Sequence, residues 1–178
     1  MDVVQIKDKQ FGLTISEQEI QKAIQNIATR MNKDLKDKNP LFICVLNGAF
    51  MFAAELMKRL TIPLEVTFVK LSSYEGLMST GKIKEVFGLT ENISDRTIVV
   101  VEDIIDTGTT MANLIESLGS KNVAEVYVAT LLLKPDALVN KVPLDYVAIE
   151  IPNDFIVGYG LDYDGYGRNL AAIYTLIP

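Results

Sequence analysis

TIVVVEDIIDTGTTM, residues 97–111, decides how the rest of the chain is read. Ile98 through Val101 are β-favouring and uncharged, the composition of a strand buried between layers. The run ends on two adjacent acids, Glu102 and Asp103, with a third, Asp106, before Thr-Gly-Thr-Thr. Neighbouring carboxylates repel, so the pattern calls for something that relieves the repulsion: a cation or sugar hydroxyls. Thr109 onward, through MANLIESLG, reads as a helix that Gly119 stops.

Outward from this stretch the elements alternate. LFICVL (41–46) reads as a strand, AFMFAAELMKRL (49–60) as a helix, and LEVTFVKLSS (64–73) as a strand. AEVYVATLLLK (124–134) returns as another strand. Upstream, Ser16 and Glu19 have capping-box spacing, and Ile20, Ala23, Ile24, Ile27, Ala28 and Met31 share one helical face. Strand and helix in alternation give βαβ units, hence an α/β fold with a mainly parallel twisted sheet flanked by helices. YVAIEI, FIVGYG and AAIYTL have too few helices between them to continue the winding, and we expect them in a small appended subregion.

The 178 residues fit one domain, 1–178, with a net charge of −6 and no long basic run, which disfavours nucleic acid as the main partner. Cys44, the only cysteine, excludes an intrachain disulfide and sits in the strand candidate LFICVL as a core thiol. The absence of histidine removes imidazole bases, His-based triads and His zinc sites. The opening MDVVQIKDKQ is charged and lacks a signal-peptide core, and no uncharged apolar run approaches about 20 residues. We therefore expect a soluble cytoplasmic protein with no membrane partner.

In open α/β sheets, ligands bind beyond the carboxyl ends of strands. There, Thr107, Gly108, Thr109 and Thr110 lead into a helix N-terminus, whose unpaired N–H groups and dipole favour phosphate. The threonines add hydroxyl donors, and Gly108 lets the backbone come close. A sugar attached to that phosphate would meet Glu102 and Asp103, directly or through Mg²⁺-bound water. The residues thus describe a ribose 5-phosphate site. No G-x-x-x-x-G-K-[ST] and no G-x-G-x-x-G occurs, and Asp103 and Asp106 miss the phosphatase D-x-D-x-T spacing. The bland counterpart is a capped helix whose threonines satisfy only the protein.

VVVEDIIDTGTTM also resembles the phosphoribosyl-pyrophosphate-binding signature of type I phosphoribosyltransferases, and EDIIDTG is similar to the hypoxanthine-guanine branch. The resemblance extends from about residue 10 to 177. VLNGAFMF (45–52) resembles the pyrophosphate loop, SSYEGLMSTGKI (72–83) the mobile loop with its Ser73-Tyr74 pair, and LLLK (131–134) with EIPNDFIVGYGLDYDGYGRNL (150–170) the purine-binding segments.

The resemblance implies transfer of the phosphoribosyl group from phosphoribosyl pyrophosphate to a 6-oxopurine, with Mg²⁺ as cofactor. It implies Asp106 as the proton-handling carboxylate, Glu102 and Asp103 as ribose and metal acids, and Asp162 as a metal-side acid among the purine-binding residues. Asn47, Gly48 and Arg168 would bind pyrophosphate, and a cis Leu46–Asn47 peptide is implied there. Many members carry a basic residue where this chain has Asn47. Lys134 would donate to the purine 6-oxo group, Phe155 stack on the base, Ile156 touch its edge through backbone, and Ser73 and Tyr74 belong to a lid. A homodimer or homotetramer follows by the same analogy. Two further readings stay open on the sequence: a regulator of this fold that binds nucleotide and then nucleic acid, and a transferase for another base.

Overall fold

Strand β6 (Thr97–Ile105) is apolar because it lies inside a sheet covered on both faces. The computed structural model describes residues 2–73 and 83–178, with the backbone alone for 72, 73 and 83–87. Among the described residues, β3 (Leu41–Leu46), β4 (Glu65–Ser73), β6, β7 (Glu125–Leu133) and β8 (Tyr146–Glu150) run parallel. The strand β5 (Ile83–Phe87) joins β4 antiparallel, giving the order β5-β4-β3-β6-β7-β8.

Alternate residues of the sheet face two helical layers. Phe42, Cys44, Val99 and Val101 pack under α1 (Glu17–Asp34) and α2 (Phe50–Met57). Leu41, Ile43, Ile98 and Val100 pack under α3 (Thr109–Gly119). The predicted capping box starts α1: the Ser16 N–H donates to Glu19 Oε2 at 2.9 Å and the Glu19 N–H to Ser16 Oγ at 3.3 Å. Its buried face is Ile20, Ile24, Ile27, Ala28 and Met31, each large apolar side chain contributing about 1.5–3 kcal/mol. Cys44 is fully buried in this core, and burial pushes its thiol up to about 12, so it stays a packing residue. No helix among the described residues is long and apolar enough to cross a membrane.

A second, antiparallel sheet forms a hood with the order β1-β2-β10-β9, from β1 (Val3–Ile6), β2 (Lys9–Ile15), β9 (Ile156–Val157) and β10 (Ile173–Leu176). Its own core is Ile6, Phe11, Val157, Ala172 and Tyr174. Two expectations change here. YVAIEI belongs to the main sheet as β8, parallel to β7, rather than to the appended part. The hood instead recruits the N-terminal hairpin, whose charged turn at Lys7 and Asp8 conceals two short strands.

Candidate active site

β6 continues past its acid pair to Ile105, but its alternation lapses there. Val101 and Ile104 both join the core under α1 and α2, and in β7 so do Leu131 and Leu132. At the lapse the carboxylates fold back on the strand: Glu102 Oε1 accepts the Asp103 N–H at 3.2 Å, and Asp103 Oδ1 the Ile104 N–H at 2.9 Å. Burial, and then the adjacent Asp103 carboxylate, raise the Glu102 carboxyl well above the ordinary range.

Glu102, Asp106, Thr107, Gly108 and Thr110 line a cavity of about 90 Å³ at the start of α3. Gly108 is the N-cap with φ 78°, a conformation that glycine takes without strain. The first bond within the helix is Ala112 N–H to Gly108 O at 2.9 Å, so the preceding N–H groups have no acceptor inside the helix. This is the geometry of an anion cup. Thr107 and Thr110 line it, but Thr109 does not: its hydroxyl oxygen accepts from Asn140 Nδ2 at 2.8 Å and lies 3.1 Å from Thr107 Oγ1. The sequence signalled nothing at Asn140.

Asp103 meets the second loop. A Cβ on Gly48 would lie 1.5 Å from Asp103 Oδ2, so the bare glycine lets that carboxylate reach the loop. The Leu46–Asn47 peptide is cis, as the resemblance implied. The hood closes on the same point. A Cβ on Gly160 would lie 1.9 Å from the Gly48 carbonyl oxygen, and Gly160 has φ 105°. Arg168 donates to Gly160 O at 2.7 Å and pairs with Asp162 at 2.6 Å. Asp162 also accepts the Gly165 N–H at 2.6 Å. Asp103, Gly48, Gly160, Arg168 and Asp162 thus form one chain of contacts, in which Gly160 was not singled out beforehand. Gly160→Ala should destabilise the fold by about 1–3 kcal/mol through backbone overpacking, read by denaturant unfolding; wild-type stability would show that hood and loop do not meet.

The third group lies at the ends of β6 and β7. Lys134 is buried at 8% exposure, and its Nζ is 3.2 Å from Oδ2 of the half-exposed Asp106. Its N–H donates to Ile105 O at 3.0 Å. β8 ends beside it, with Leu133 opposite Glu150, so the chain toward Phe155 leaves from the same sheet edge. Phe155 is exposed at 47%, with Tyr163 edge-on at 6.0 Å and Phe11 at 6.2 Å. Tyr163, also not singled out, is held by a hydrogen bond to Asp8 at 3.0 Å. The Ile156 side chain is buried, leaving only its backbone to a ligand. Ser73 ends β4 with its side chain undescribed, and Tyr74 with the rest of the expected lid lies outside the described residues.

No three acid or cysteine side chains among the described residues converge as a ready metal site. This suits Mg²⁺, which takes one or two carboxylates, several waters and substrate phosphate oxygens. Asp103 against the Gly48 loop and Asp162 beside Arg168 are carboxylates of the type that such an ion takes.

The phosphoribosyl transferase domain profile matches residues 14–164. The hypoxanthine-guanine phosphoribosyltransferase of Streptococcus thermophilus (strain CNRZ 1066) is 39% identical over 165 residues, 92% of each chain. That of Streptococcus pneumoniae (strain ATCC BAA-255 / R6) is 40% identical over 163 residues, 91% of each. Among solved structures, a hypoxanthine phosphoribosyltransferase from Staphylococcus aureus superposes with a TM-score of 0.86 at 34% identity, covering 99% of this chain and 93% of the other. A hypoxanthine-guanine phosphoribosyltransferase from Bacillus anthracis gives 0.83 at 33% identity, covering 98% and 99%.

Proposed function

Since the chain belongs to the phosphoribosyl transferase family, as a purine-salvage enzyme, we propose that it transfers the 5-phosphoribosyl group to hypoxanthine and guanine. The products are IMP or GMP and pyrophosphate. The observation that carries the base assignment is the Lys134–Asp106 pair, a buried donor 3.2 Å from a carboxylate acceptor. The edge of a 6-oxopurine carries the complement side by side: the acceptor O6 and, in the N7–H tautomer, a donor at N7.

The cup of Thr107, Gly108, Thr110 and the first-turn N–H groups takes the 5-phosphate. Glu102 and Asp103 receive the ribose hydroxyls. Asn47 and Gly48 hold the pyrophosphate with Arg168, whose planar fork suits phosphate oxygens. Phe155 stacks on the base, and backbone at Ile156 meets its edge. The purine N9 lone pair bonds to C1′ of the sugar as the C1′–oxygen bond to pyrophosphate breaks. The leaving group keeps that electron pair, and the N7 proton passes to Asp106. Mg²⁺, held by Asp103, Glu102 and Asp162 in part through water, would neutralise the departing pyrophosphate when bound.

Pyrophosphate release from hypoxanthine and phosphoribosyl pyrophosphate tests the activity directly; its absence would overturn the assignment. Excess chelator should reduce turnover to background, and added Mg²⁺ should restore it. Undiminished turnover in chelator would remove the metal from the scheme. By the same premise the enzyme is cytoplasmic and works as a homodimer or homotetramer, and sedimentation of a single chain would contradict the assembly.

A further inference from the structure

After Lys134 the chain turns through Pro135–Ala137 and runs back along the outside of the phosphate cup. The Lys134 N–H donates to Ile105 O at 3.0 Å, and the Val139 and Asn140 N–H groups both donate to Thr107 O, at 3.0 and 3.1 Å. Asn140 Nδ2 donates to Thr109 Oγ1 at 2.8 Å. A Cβ on Gly108 would lie 2.8 Å from the Asn140 carbonyl oxygen. Leu138 pins this strap to the core under α3. Three consecutive residues of the loop, Thr107 to Thr109, are therefore backed by one short segment, and Asn140 touches all three.

The arrangement answers a conflict in the cup. A loop entering a helix is ordinarily fixed by an N-cap side chain that accepts first-turn N–H groups. Those same N–H groups are what a bound phosphate needs. Here the N-cap is Gly108, which has no side chain to cap α3, and Thr107 Oγ1 accepts the Thr109 N–H at a long 3.4 Å. The strap instead grips Thr107 O and Thr109 Oγ1, two oxygens that take no helix N–H group, although Thr109 Oγ1 also lies within hydrogen-bond reach of the Thr107 hydroxyl at 3.1 Å.

We propose that Asn140 is a positioning residue for the 5-phosphate: its side-chain tether to Thr109 holds the 107–109 loop in binding geometry while leaving the helix N–H groups for the ligand. The proposal rests on the reading of the cup as the 5-phosphate site. Asn140 touches no substrate and acts only through the loop. Its loss weakens the phosphate end of the substrate equally in ground and transition states, which raises KM and spares kcat.

The test uses the full chain, with ribose 5-phosphate and inorganic pyrophosphate as calorimetric probes alongside steady-state kinetics. Asn140→Ala is expected to weaken ribose 5-phosphate and raise the KM for phosphoribosyl pyrophosphate by about three- to tenfold, the size of one hydrogen bond. Pyrophosphate affinity, the KM for hypoxanthine and kcat should stay within about twofold, and Thr109→Ala should match. In a Thr109→Ala background, Asn140→Ala should add almost nothing, because the tether is already gone. Undiminished ribose 5-phosphate binding in Asn140→Ala, additive losses in the double variant, or a parallel fall for both probes with melting temperature would overturn the proposal. A wild type that transfers to hypoxanthine but binds no ribose 5-phosphate would strike the cup reading and this proposal with it. A wild type with no transfer but the expected Asn140 effect on ribose 5-phosphate would leave the proposal standing and remove the activity.

Discussion

Asp106→Asn is expected to lower kcat by about 10²–10⁴-fold, the usual worth of a placed proton acceptor. The fold should survive, because the Asn amide oxygen can still accept from Lys134 Nζ, 3.2 Å from Asp106 Oδ2. The ammonium then keeps a hydrogen-bond partner but loses its counter-charge, a cost that water at the half-exposed position 106 limits. Asp106 lies at the mouth of the cup, but its carboxylate reaches toward Lys134, so the KM for phosphoribosyl pyrophosphate should change little. What disappears is basicity: an amide cannot take the N7 proton as the base joins the sugar. Wild-type kcat in the variant would reduce Asp106 to a counterion for Lys134, and a matching collapse of melting temperature would point to the same conclusion.

Adenine should be a poorer substrate than hypoxanthine by about 10⁴ in kcat/KM, since a site built around one polar contact rejects a ligand that cannot make it. Lys134 is the cause. Its ammonium has donors only, and it is 8% exposed, so it depends on the ligand and Asp106 for partners. Hypoxanthine brings O6 to it; adenine brings an amino group, and donor faces donor in a partly desolvated pocket. Stacking on Phe155 gives no discrimination, because every purine has the same face. Guanine differs only at the 2-amino group, which in the proposed binding mode faces the backbone near Ile156, and should be used. Lys134→Met keeps much of the stem volume and removes the donor, so it should lose most of the preference while ribose 5-phosphate binding persists. The half-exposed Asp106 can hydrate in that variant, so little structural penalty follows. Efficient use of adenine by the wild type, or unchanged base preference in Lys134→Met, would refute the assignment.

Much of this site is legible from one stretch because its signals are local. The β6 run, the acid pair after it and the hydroxylated turn into α3 lie within residues 97–111. Strand, loop and helix N-terminus are each set by neighbours a few residues away. The same holds for the capping box of α1 and for Cys44, whose flanking residues already mark a core strand. The wider assignment of Lys134, Phe155, Asp162 and Arg168 came from resemblance, since single polar residues at strand or loop ends carry no local mark of what they face.

The sequence by itself determined the main winding of strand and helix and the existence of a cup at the end of β6, because periodicity, caps and turn residues act over a few positions. Only the tertiary structure decided which distant segments complete the site. A strand's period states which residues share a face, but not which strand lies beside it, so YVAIEI was free to leave the hood for β7 and the N-terminal hairpin to enter it. The contact of Gly160 with Gly48 depends on two backbones meeting where neither has a side chain, and no pattern within either loop foretells that. Lys134 reaches Asp106 because β6 and β7 pair in parallel and end together, Ile105 opposite Leu133. Asn140 acquires its role in the same way: the chain leaving β7 has to cross the outside of the cup, and hydrogen bonding of the otherwise unpaired Thr107 carbonyl makes the crossing favourable.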